Sequence, residues 1–110
     1  MTRQSPQLGL ARHQRPTVDE AALVAARHAD RLLAAARESG LVRWVAYLQP
    51  LPDRFRDAPL SELRSVAVRA RAAYGPKDSI RDVLPQDLTE PFMDAIDRLL
   101  RTLARSDLEG

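Results

Sequence analysis

TVDEAALVAARHADRLLAAARESG, residues 17–40, is the stretch that decides the fold. Thr17, Val18, Asp19 and Glu20 read as a capping box, in which the Thr hydroxyl takes an unpaired backbone N–H and the Glu reaches back. Gly40 after Ser39 suits the left-handed residue that closes a helix. Between these signals Val18, Ala22, Ala25, Ala29, Leu32, Leu33 and Ala36 fall on one helical face, with Glu20, Arg27, Arg31 and Glu38 opposite. The spacing predicts one long amphipathic helix. Its apolar face is mostly alanine, which admits a close neighbour but releases little apolar area.

Downstream the same period recurs. Leu41, Trp44, Val45 and Leu48 follow i, i+3, i+4, i+7 spacing, and Pro50 and Pro52 end the run. A strand is the competing reading of residues 41–49, but the chain offers no second strand to pair with it. Residues 51–58 read as a linker with at most a helical turn around Phe55. A third helix follows, with Asp57 as its expected cap, Pro59 in the first turn and Gly75-Pro76 as its stop. Its core face is Leu60, Leu63, Val66, Ala67, Ala70 and Tyr74. Residues 79–82, Ser-Ile-Arg-Asp, resemble another capping box and open a short turn that Pro85 closes. The last helix is expected to start at Asp87 or Thr89 with Pro91 in its first turn. Phe92, Ile96, Leu99, Leu100 and Leu103 make its stripe, and Asp94 with Arg98 and Asp97 with Arg101 are expected i, i+4 pairs.

The expected fold is therefore all-α: a small single-domain helical bundle of three longer helices and one or two short ones. Residues 17–110 form the helical domain. Residues 1–16, rich in Gln, Pro and Arg and without an acid, read as a disordered basic arm. At 110 residues the chain is one domain. The absence of cysteine excludes disulfides, thiol nucleophiles and Cys-based zinc sites. With no apolar run long enough for a bilayer and no secretory signal, no membrane partner is expected and the cytoplasm is the expected compartment.

Charge is unevenly distributed. Sixteen of the seventeen bases are Arg, and Lys77 is the single lysine. Such a ratio fits the codons of a GC-rich, bacterial genome, but codon usage does not explain the placement. Residues 1–75 carry twelve bases against seven acids, whereas residues 76–110 carry five against eight. A basic body with an acidic end suits a polyanion, or head-to-tail self-association.

Catalysis finds little support. The two histidines, His13 and His28, read as solvated, no serine carries a nucleophile signature, and the four glycines are isolated rather than gathered in a phosphate loop. Asp78, Asp82 and Asp87 could share a hard cation, but capping explains two of them and no ligand-dense loop is present. No enzyme activity, metal or cofactor is expected.

Nucleic acid is the alternative reading. Ala36, Gly40 and Ala46 match helix-turn-helix spacing, but Ser39 stands where an apolar residue is usual and Pro50 cuts the second helix short. Non-specific phosphate binding is the stronger form of that alternative, with Arg12, Arg15, Arg43, Arg54 and Arg56 as cations and Phe55 as a stacking ring between two of them. The bland reading makes Phe55 a core plug.

A protein partner is the favoured class. Arg64, Val68 and Arg71 form a strip at i, i+4, i+7 beside the third helix's core face, and Val68 has no evident core role. Arginine is enriched in interfaces, and Trp, Tyr and Arg dominate hot spots, which adds Trp44 and Tyr47. The expectation is a non-enzymatic interaction module, an accessory or regulatory subunit, and a homodimer in which the Ala-rich first helix pairs with its copy.

Overall fold

The computed structural model describes residues 12–109, and every regular element among them is helical. In chain order these are α1 (Pro16–Glu38), α2 (Val42–Leu48), α3 (Leu51–Asp57), α4 (Leu60–Arg71) and α5 (Gln86–Glu109), with single 3-10 turns at Arg12–Gln14, Ala72–Tyr74 and Ile80–Asp82. The all-α expectation is met. No helix among the described residues is long and apolar enough to cross a membrane.

The 23 residues of α1 and the 24 of α5 give two rods of about 35 Å each, which pack along one another. Helices α2 and α3 also lie on α1, and α4 closes the bundle against α5 and α3. The alanines make this possible. Ala21, Ala22, Ala25, Ala26, Ala29 and Ala36 are all buried, so the backbone of α1 sits close to three neighbours at once. Bulk is supplied from across the core by Phe55 of α3 and by Phe92, Ile96 and Leu99 of α5. The two Phe rings meet edge to face, 6.1 Å between centroids.

This packing corrects one expectation. The Ala face of α1 is covered by the protein's own helices and is not available to pair with a second copy. Small residues invite a close helix, and here α2, α3 and α5 are those helices.

The helix ends differ from the sequence reading in instructive ways. Helix α1 starts two residues early, with Pro16 in its first turn, and no side-chain cap forms at its start. Proline's fixed φ and missing N–H make it a ready first residue, and Thr17 falls inside the helix rather than before it. The first-turn acid, Asp19, is held instead by Arg12, with Nε and Nη2 at 2.9 and 2.8 Å from Oδ1. At the other end Gly40 behaves as expected, at φ 67°. Its N–H donates to the Arg37 carbonyl and that of Leu41 to the Ala36 carbonyl, the two bonds of a Schellman stop.

Residues 51–57 are a helix, not a linker. Pro52 sits in the first turn, and Leu51 and Phe55, one turn apart, are both buried. Seven residues make no stable helix alone, so burial against α1 supplies what local propensity lacks. Asp57 consequently ends α3 instead of capping α4, whose start is the extended Pro59. Helix α5 begins at Gln86, directly after Pro85, so Pro91 lies in its second turn and leaves the Asp87 carbonyl without its helical donor. Ser79 does cap its short turn, its Oγ accepting the Arg81 N–H at 3.1 Å.

The expected i, i+4 pairs along α5 are replaced by bonds between helices. Arg98 reaches Glu20 of α1, and Asp97 accepts from Arg71 of α4. Arg64 of α4 meets Asp107 at 2.5 Å.

Of the segment read as a disordered arm, residues 1–11 lie outside the described residues. Arg12–Gln14 form a 3-10 turn that runs directly into α1.

Candidate functional site

The surface expected to meet a partner is built from α2 and α4. The Schellman stop aims the chain from α1 into α2, which buries Leu48 and half-buries Trp44 and Val45. Trp44 and Tyr47 pack edge to face, 5.7 Å between centroids. The Tyr47 hydroxyl donates to the Arg69 carbonyl of α4, and the Arg69 guanidinium lies 5.9 Å above the same ring. Partial burial raises the Tyr47 pKa, and the Arg69 charge opposes that rise, so the phenol stays protonated at neutral pH.

Helix α4 buries Leu63, Val66, Ala67 and Ala70 and turns Val68 outward, 55% exposed. On α2, Val42 is 79% exposed. These are the two most exposed large apolar side chains among the described residues. The aromatic pair thus reaches α4 at the residue next to an exposed valine.

The two arginines expected to flank that valine as interface cations are already engaged. Arg64 is bound to Asp107, and Arg71 donates to Asp97 at 3.0 Å while lying 5.9 Å from the Tyr74 ring. The sequence shows them in excess of acids on their own helix, but the acids come from α5, and no local spacing links residue 64 to residue 107. Arg69 is the cation that sequence reasoning passed over. It adjoins Val68, and only the position of Tyr47 reveals its contact with that ring.

The residues expected to bind a nucleic-acid backbone do not form one surface. Phe55 is fully buried against Phe92 and has no face for a base, because the core needs its volume beside the small side chains of α1. Arg12 is folded into the protein, 11% exposed at its side chain. Arg54 pairs with Glu62 at 3.0 Å, and Arg56 pairs with Asp53 at 3.2 Å and with Asp30. Arg15 lines a cleft beside the start of α1. Arg43 alone of the set is exposed on α2 with no bonded partner.

Elsewhere, Tyr74 lies between Arg71 and Arg81, and its hydroxyl donates to the Thr89 carbonyl at 2.5 Å. Arg81 grips Glu90 through both carboxylate oxygens, at 2.7 and 3.1 Å, and this bond lowers the Glu90 pKa. His28 is held below its ordinary pKa by partial burial and by Arg31 and Arg27. Among the described residues no group of three His, Asp or Glu side chains converges to hold a metal ion. No protein-family model matches the chain, and comparison with curated proteins and with solved structures finds no similar protein.

Proposed function

We propose that this chain is a non-enzymatic protein-interaction module, an accessory or regulatory subunit, and that its partner docks on the side of α4 that carries Val68. One observation carries the reading: a valine 55% exposed in the middle of a helix whose other apolar residues are buried or partly buried, next to the Arg69–Tyr47 contact. Trp44, Tyr47 and Arg69 supply the residue types that anchor interfaces. Arg64 and Arg71 hold α4 to α5 and so fix the docking face, rather than offering unpaired charge.

A second copy is one partner that fits this class, with the symmetry axis at the α2 and α4 side rather than at α1. Light scattering of the full chain with a Val68→Asp variant tests both. The variant is expected to keep the helical signal and the wild-type urea midpoint while losing association with the copy or partner. A variant that unfolds places Val68 in the core and removes the proposed surface. Filter binding to mixed DNA and RNA at low salt is the complementary test, since salt-sensitive retention would favour a phosphate-binding function instead.

A further inference from the structure

We propose that the cleft between the start of α1 and the last turns of α5 is a binding site for a small phosphate monoester. The cleft holds about 260 Å³ and is walled by Arg15, Thr17 and Val18 on one side and Thr102, Arg105 and Ser106 on the other. That is far more than one water needs and just below the usual range for larger ligands, so a small molecule fits.

Its charge is the second observation. Seven arginines among the described residues each contact a carboxylate: Arg12, Arg54, Arg56, Arg64, Arg71, Arg81 and Arg98. Arg15 and Arg105 contact none, although they face one cleft from two different helical segments. Three of the acids close to them in the chain are taken. Asp19 is held by Arg12, Glu20 by Arg98 and Asp107 by Arg64. Arg15 Nε is shut off from solvent and has no acceptor within the protein. A buried guanidinium donor without an acceptor is costly, and turning the Arg15 guanidinium into the cleft onto a bound oxyanion would relieve it.

The rest of the wall suits the same ligand. The N–H groups of Thr17 and Val18 belong to the first turn of a 23-residue helix and have no helical acceptor. They bring the positive end of the helix to the cleft. The Thr17 and Ser106 hydroxyls make no bond within the protein and are available to donate. Thr102 donates its own hydroxyl to the Arg98 carbonyl at 2.7 Å and so presents only lone pairs, a place for a hydroxyl of the ligand's organic part. Buried Val18 gives that part an apolar floor. Two guanidiniums at opposite walls match the double charge of a monoester better than a carboxylate's single charge.

The test is calorimetric titration of the full chain with glycerol 3-phosphate and with inorganic phosphate, at ionic strength matched with chloride. Saturable binding is expected, tighter for the monoester. Arg105→Gln and Arg15→Gln are each expected to weaken it about tenfold or more, the scale of one charge-assisted contact. Arg101→Gln, an exposed and unpaired arginine one turn from Arg105, is expected to leave it unchanged. Unchanged binding by Arg105→Gln, equal weakening by Arg101→Gln, or no saturable heat up to about 10 mM ligand, where even a weak millimolar site would fill, overturns the proposal.

Discussion

The guanidinium of Arg12 donates to the main-chain carbonyl of Phe55 at 2.7 Å, across 43 residues of chain. The same group reaches the carbonyls of Arg56 at 2.7 Å and Ala58 at 3.1 Å and closes on Asp19. These carbonyls cluster at the C-terminal end of α3, where the last turn of a helix has acceptors without donors and a negative dipole. Arg12 is therefore the C-terminal cap of α3 and the link from α3 to the first turn of α1.

Removal of that cap leaves Asp19 and several carbonyls without a donor in a part-buried place. Arg12→Ala is expected to cost about 1.5–3 kcal/mol, the range for hydrogen bonds to a charged group. Arg12→Lys keeps the charge but not the planar fork, so it should recover less than half of the loss. Urea unfolding of the three proteins measures this. A loss below about 0.5 kcal/mol for Arg12→Ala, the ordinary size of a neutral surface change, would return Arg12 to the role of a solvated arm residue.

Gly40 separates backbone geometry from packing. Its φ is 67°, and a Cβ built there meets nothing within 4 Å. Gly40→Ala should thus be destabilising by about 1 kcal/mol from conformation alone. Gly40→Asn, which tolerates the left-handed region, should cost less. The order of urea midpoints, Gly then Asn then Ala, checks the Schellman stop. An Ala variant as stable as wild type would mean that the turn does not hold this geometry in solution.

The helices and most core residues were legible because their signals are local. Every residue read onto the apolar face of α1 is buried, as are Leu63, Val66, Ala67, Ala70 and Tyr74 and the stripe Phe92, Ile96, Leu99 and Leu103. Gly40 needed only its neighbours. Helix α3 was missed because Pro50, Pro52 and Pro59 read as breaks, and the burial of Leu51 and Phe55 that forms it depends on α1. The pairing of charges was missed for the same reason. Arg64 finds Asp107 and Arg12 finds Phe55 through the packing of helices, and helix spacing rules describe only neighbours three and four apart. Of the candidate surface, exposed Val68 was legible from its helical phase, whereas Arg69 at the Tyr47 ring was not.

Acid should weaken the fold in two separate windows. The His28 pKa is depressed by partial burial and then by Arg31 and Arg27, so the unfolded chain binds its proton more readily. Its contribution is complete above the unfolded value of about 6.5 and declines as pH falls from there through the lower folded value. The Glu90 pKa is depressed mainly by its bond to Arg81, so its contribution holds above the unfolded carboxylate value of about 4.3 and is lost only in stronger acid. Urea midpoints between about pH 8 and pH 4 should show the first decline in wild type. His28→Gln should flatten that upper window and leave the lower one. An unchanged slope below about pH 6.5 in the variant would assign the first decline to another group.

Ala25 tests whether the alanine face of α1 serves the monomer or a partner. It is fully buried under the protein's own helices. Ala25→Leu adds three carbons where the neighbouring helices already touch, and overpacking of this kind costs about 1–3 kcal/mol. The same substitution on a face open to solvent, or at a loose interface with a second copy, would be tolerated or would strengthen association. Thermal unfolding at two protein concentrations distinguishes the cases. A concentration-independent fall in Tm is expected. For a domain of this size, about 1 kcal/mol corresponds to roughly 4–8 °C. A Tm that holds or rises with concentration would show that α1 pairs with its copy and that the intramolecular cover is not the one the protein uses in solution.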